Sequence, residues 1–169
     1  QYRAYKNDDP KQKQQNALPF VVLNKIAKQQ MTELDTALVQ LTIGAAFFAC
    51  CSCKYLIVPK KEERRTKLLC LRNIRFFKDR HLILAPSVDL EFADSVALTF
   101  EMQKHDNKYN TFIHGQTEDP VLCPVLQWAC IVNRFWSYKG TTQDTSVCIY
   151  HRTGGQPTPI TSSVVLTRL

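Results

Sequence analysis

From Leu41 to Ala49 the chain reads Leu-Thr-Ile-Gly-Ala-Ala-Phe-Phe-Ala, with no charge on any side. A helix that is apolar nearly all round has to be buried on more than one face. This stretch therefore predicts a central helix with other elements packed around it. Extended to Cys53, the apolar run still falls well short of the ~20 residues that span a bilayer, so no membrane partner is expected.

The same helix has a readable start. Thr32-Glu33-Leu34-Asp35 places a side-chain acceptor just before an apolar run, the pattern of an N-terminal cap. Leu34, Leu38, Leu41 and Ala45 follow at helical spacing. Upstream, Pro19 suits a first helical turn, and Pro19-Phe20-Val21-Val22-Leu23 leading into Ile26 and Ala27 predicts a short helix to about Gln30. Residues 1–16 are rich in Gln, Lys and Asp and read as a linker arm.

Downstream the periodicity changes. Leu68–Phe77 and Leu82–Leu84 read as extended segments around a turn at Lys78-Asp79-Arg80. Val96, Leu98 and Phe100 alternate, the period of a half-buried strand. A polar turn at Lys104–Lys108 leads to a second strand at Tyr109–Ile113, which predicts a hairpin. Pro124–Tyr138 predicts another buried helix, with Trp128 and Trp136 on its core face. Val147–Tyr150 is short and extended, Arg152–Pro159 reads as a loop, and Ile160-Thr161-Ser162 caps a last helix. The expected fold class is α+β, mainly helical with a small antiparallel β-sheet. The 169 residues suit one domain, 17–169, after the arm.

The formal charge of +7 is uneven. Residues 60–80 hold nine basic side chains against three acidic ones, net +6, and residues 81–120 carry a net −5. A basic block attracts phosphate, because each neutralised phosphate releases condensed counterions. The competing reading is a solvated loop with Glu62 and Glu63 intermixed. The seven cysteines sit mostly in apolar runs and read as thiols of a reducing, intracellular compartment. Cys51-Ser52-Cys53 lacks a partner pair at zinc-site spacing, so no metal and no cofactor are expected. His81, His105, His114 and His151 are scattered and are expected to be exposed or internally satisfied.

Several segments resemble a known family in their order. Phe47-Phe48-Ala49-Cys50-Cys51-Ser52-Cys53-Lys54-Tyr55 closes the apolar helix. Arg64-Arg65-Thr66-Lys67-Leu68-Leu69 and Leu71-Arg72-Asn73-Ile74 follow, then Ala93-Asp94-Ser95-Val96, a strand leading to Gln103-Lys104, and Asp119-Pro120-Val121-Leu122-Cys123-Pro124-Val125. Together they resemble the catalytic domain of tyrosine recombinases, phage-integrase-like enzymes, in the transposon-derived branch. The resemblance runs from about Ala17 to Leu169.

That resemblance implies DNA breakage and rejoining through a phosphotyrosine, with fixed positive charge aimed at the phosphate. The family's first arginine corresponds to Cys51, which offers one weak donor and no charge. The family's acidic position is Lys54. The hairpin lysine corresponds to Lys104, with Lys108 as the alternative. Arg64, Arg65 and Lys67 are the expected DNA-backbone contacts. No His-x-x-Arg pair or matching tyrosine falls within the 169 residues. The resemblance therefore implies an N-terminal portion that binds duplex DNA without cleaving it, nuclear in a eukaryote. A longer active enzyme and a domesticated protein-interaction scaffold are the alternatives. Missing helices would leave apolar surface exposed, hence an expectation of self-association.

Overall fold

A computed structural model describes residues 20–28, 32–50, 56–57, 66–102, 108–152 and 155–168. Its elements are helix α1 (Phe20–Ala27), helix α2 (Glu33–Phe47), strands β1 (Ile74–Lys78), β2 (His81–Ile83), β3 (Ser95–Phe100) and β4 (Asn110–Gly115), helix α3 (Pro124–Trp136), strands β5 (Ile149–His151) and β6 (Pro157–Pro159), and helix α4 (Ser162–Arg168). The fold is α+β with small antiparallel sheets, as the patterning predicts.

Helix α2 explains its own composition. Thr32 caps it, its hydroxyl accepting from the Asp35 backbone N–H at 3.1 Å. Glu33 and Asp35 sit in the first turn, where the helix dipole favours negative charge. Leu38 and Leu41 enter the main core, while Val39 and Ile43 enter a second cluster with Leu23 and Ile26 of α1 and with Leu122. Two buried faces require apolar side chains all round. The helix stops before Cys51. Ala49 turns left-handed (φ 46°), and the N–H groups of Ala49 and Cys50 return to the carbonyls of Ala46 and Ala45. This is a Schellman closure with alanine where glycine is usual.

Helix α3 begins with Pro124 at its first position, where a missing N–H costs nothing. It runs antiparallel to α2. The Trp128 indole N–H donates to the Gly44 carbonyl at 3.2 Å, and Arg134 donates to the Gln40 side chain at 2.9 Å. A Cβ at Gly44 would lie 3.0 Å from the indole, so any larger residue makes the ring or the helix give way. Trp128 is fully buried, and Trp136 is half-buried.

The four-stranded sheet has the order β2-β1-β3-β4, all antiparallel. Pairing sets Ile74 beside Leu98 and Phe76 beside Val96, so β1 and β3 present one apolar row to the core. Two segments differ from the sequence reading. Residues Leu71–Asn73 form a 3₁₀ turn rather than extended chain, because the Asn73 side chain accepts from the Cys70 N–H at 2.9 Å and closes the turn. The stretch read as a loop after Arg152 contains β6. Arg152 N–H bonds to Gln156 and Ile160 N–H to Cys148, so Pro157 and Pro159 fall at the positions whose nitrogens point away from β5. Proline is tolerated in a strand at such positions.

Candidate functional site

Of the residues that the recombinase resemblance singles out, Cys51, Arg64, Arg65 and Lys104 lie outside the described residues. Lys67 and Lys108 are described, and the fold brings both to one end of the β3–β4 hairpin. Lys67 Nζ lies 3.2 Å from Glu101 Oε2. Glu101 directly follows β3, its carbonyl accepts from the Tyr109 N–H, and the exposed Lys108 is the neighbour of Tyr109.

Glu101 gathers more than Lys67. Arg72 Nε donates to its Oε1 at 2.7 Å and Asn73 Nδ2 to the same oxygen at 3.0 Å. Arg72 also pairs with Asp144. The Glu101 side chain is 12% exposed. The hydrogen bonds from Arg72 and Asn73 hold its carboxyl well below the usual range, at about 2, against the opposing effect of burial. Two cations of the basic block are thereby engaged by a carboxylate from the acidic segment that follows it. Neither charge run was evenly solvated surface.

The remaining described cations of the block are arranged differently. Arg75, Lys78 and Arg80 are exposed. Lys78 pairs with His81 across a two-residue loop of Asp79 and Arg80. Both loop residues have positive φ, 49° and 66°, the signature of a type I′ hairpin turn, a conformation that favours Asn and Gly. The Asp94 carboxylate accepts from the Asp79 N–H at 2.6 Å and holds the turn. Lys78 also lies over the Phe92 ring, 5.7 Å from its centroid.

These two basic groups sit at opposite ends of the sheet. The end of α2 packs near the β1–β2 turn end, where Phe48 meets His114 edge-on at 4.6 Å between centroids. From His114 back to Asn110 at the Glu101 end is about 13 Å along the strand.

Sequence reasoning missed His151 and Arg134. His151 is buried, 8% exposed, and its Nδ1 has no hydrogen-bond partner among the described residues. It was expected to be exposed or satisfied, and it is neither at that atom. Arg134 comes from the last turn of α3, with Nη2 buried and likewise without a hydrogen-bond partner. Burial pulls its guanidinium below the ordinary value, and burial together with the Arg134 charge does the same to His151. The available signal was a lone arginine inside the apolar run Trp128–Trp136.

Cys50, Cys70, Cys123, Cys130 and Cys148 carry thiols rather than disulfides, and burial raises the thiols of Cys70 and Cys130. Among the described residues no group of His, Cys, Asp or Glu has the geometry to hold a metal ion, and no helix is long and apolar enough to cross a membrane. No protein-family model, curated protein or solved structure matches the chain.

Proposed function

We propose that the chain binds the sugar–phosphate backbone of duplex DNA, as part of a tyrosine-recombinase-like catalytic domain that does not cleave. The observation that carries this reading is the β1–β2 turn. Arg80 occupies a left-handed tip position where Gly or Asn would cost less, and Lys78 and His81 flank it. Strain of this kind is kept where a particular side chain is needed at the tip. Lys78 and Arg80 are both exposed there and available to phosphate oxygens. Contacts of this type position a protein on DNA without reading its sequence. Arg64, Arg65, Lys104 and Lys108 extend the same chemistry in the sequence. Cys51 supplies no fixed charge for a phosphoryl transition state, and losing one such donor typically costs ~10²–10³ in rate.

Fluorescence anisotropy with a labelled duplex tests the reading. Affinity falls steeply with added chloride, with a log–log slope of about −0.9 per phosphate contacted. The Lys78→Ala/Arg80→Ala variant binds more weakly and with a shallower slope. Salt-independent binding, or wild-type affinity in both that variant and Arg64→Ala/Arg65→Ala/Lys67→Ala, refutes it. A covalent phosphotyrosyl adduct on a suicide DNA substrate refutes the claim of no cleavage.

A second reading, a protein-interaction module, is favoured by one observation. Leu82, Leu84, Val88 and Phe92 are all exposed, Leu84 at 75% and Val88 at 81%. Exposed apolar surface of this kind marks association sites.

A further inference from the structure

The four-stranded sheet ends on β2 at one side and on β4 at the other. An edge strand carries a row of unpaired backbone groups, and natural edges are blunted by charge, proline or a bulge. Strand β4 has none of these. Its six residues, Asn110–Gly115, include no charged side chain and no proline, and their pairing with β3 is unbroken. Phe112 and Ile113 alternate across the strand and are 46% and 61% exposed, so the edge is open on both faces. Strand β2 is only three residues long. It bears the exposed Leu82, and Leu84 follows it at 75% exposure.

The two edges match each other in backbone and direction. A two-residue turn makes Lys78 and His81 a hydrogen-bonded pair, so the N–H and C=O of Leu82 and Leu84 face away from β1. At the far edge the Gln116 N–H bonds to the Asp94 carbonyl. Alternation from there turns the N–H and C=O of Gly115, Ile113 and Thr111 away from β3. Tyr109, left-handed at φ 56°, precedes the strand and lies outside that alternation. Every neighbouring pair in the sheet is antiparallel, so β2 and β4 run in opposite directions. A second sheet laid beside the first therefore sets β2 against β4 as one more antiparallel pair.

The edges also match in charge. Leu82 pairs with Phe77, Phe77 with Ser95 and Ser95 with Gly115, so the β1–β2 turn and the end of β4 lie at the same end of the sheet. The exposed Lys78 and Arg80 stand at that end of the β2 edge. The exposed Glu118, just past Gly115, stands at that end of the β4 edge.

We infer that copies of this chain associate head to tail, β2 of one copy adding to β4 of the next. The register that joins outward-facing backbone groups places Leu84 opposite Ile113 of the next copy and Leu82 opposite its Gly115. Both leucines and Ile113 then share one face, and Arg80 comes beside Glu118 of the next copy. Main-chain hydrogen bonds hold such a pair, and the apolar side chains fix its register. Because the two surfaces differ, the contact leaves a free edge at each end and the assembly stays open. This inference rests on the protein-interaction reading of the Leu84 surface and names its partner as a second copy.

Sedimentation velocity on the full chain at rising concentration tests it, with circular dichroism confirming that each variant is folded. The weight-average mass climbs past that of a dimer. Ile113→Lys and Leu84→Lys each put a charge on one exposed edge, and each variant alone remains a monomer. Mixed in equal amounts they form a dimer and nothing larger, because one copy keeps β2 and the other keeps β4. Association of either variant alone, or a mixture that stays monomeric while the wild type associates, overturns the head-to-tail contact but leaves the protein-interaction reading standing. A wild-type chain that is monomeric throughout overturns both.

Discussion

The Trp128 indole lies against the backbone of Gly44, its N–H donating to the Gly44 carbonyl at 3.2 Å. The contact sets the spacing of α2 and α3, because a methyl group at Gly44 would stand 3.0 Å from the ring. Backbone and indole approach here as closely as packing allows.

Gly44→Ala therefore forces the helices apart or tilts the indole. Overpacking of this kind costs about 1–3 kcal/mol, offset in part by alanine's better helix propensity. The urea midpoint falls, and the tryptophan emission maximum moves to longer wavelength as water reaches the ring. An unchanged midpoint and spectrum contradict the contact.

Glu101 makes stability depend on acid. Its carboxyl titrates at about 2 in the fold, against an ordinary value of 4.5. A group with a depressed folded value stabilises fully above its unfolded value and loses that contribution as pH falls through the folded one. The window is thus pH 4.5 down to 2. Lys67 and Arg72 are 57% and 40% exposed, so solvent screening reduces the effect to on the order of 1 kcal/mol. Urea midpoints at pH 5 and pH 3 converge between the wild type and Glu101→Gln. A constant gap across that range contradicts the assignment. The same substitution releases Lys67 and Arg72 from their carboxylate and raises affinity for duplex DNA at low salt.

Ala49 closes α2 with φ 46°. A left-handed conformation costs an L-residue roughly 1–2 kcal/mol, and glycine avoids it at some cost in chain entropy. Ala49→Gly raises the thermal midpoint, by an increment worth about 0.5–1 kcal/mol. A lowered midpoint means that the methyl group contributes packing that outweighs the strain.

Leu84 and Val88 are more exposed than any other large apolar side chains among the described residues. Sedimentation velocity at rising concentration shows self-association that Leu84→Ser/Val88→Ser abolishes without change in the circular dichroism spectrum. A monomer at all concentrations removes the motive for the protein-interaction reading.

Local patterns were legible wherever one interaction dominated. Thr32 and the apolar spacing behind it announced α2, and the alternation of Val96, Leu98 and Phe100 announced β3. The turn at Asp79-Arg80 was visible from its polar residues. What escaped the sequence were outcomes decided by pairing between distant segments. Leu71–Asn73 became a 3₁₀ turn through one side chain, Asn73. The segment Arg152–Pro159 reads as a loop in sequence, and only the register, which turns the nitrogens of Pro157 and Pro159 outward, makes β6 a strand. Glu101 appeared only as part of an acidic run, and its grip on Arg72 across 29 positions is a product of the fold. The Arg134–His151 cleft draws on residues near positions 33, 134 and 150, and no short window contains it.

The division of α2 between two clusters has a consequence for how the molecule comes apart. Helix α1 can detach and expose Val39, Ile43 and Leu122, leaving Leu38 and Leu41 in place. Loss of α2 abolishes both clusters at once. Opening is therefore ordered. Amide protons of α1 exchange through a local, low-energy event, and those of α2 exchange only when the whole body unfolds. A single helix thus sets the boundary between the part of the chain that breathes and the part that melts as one unit.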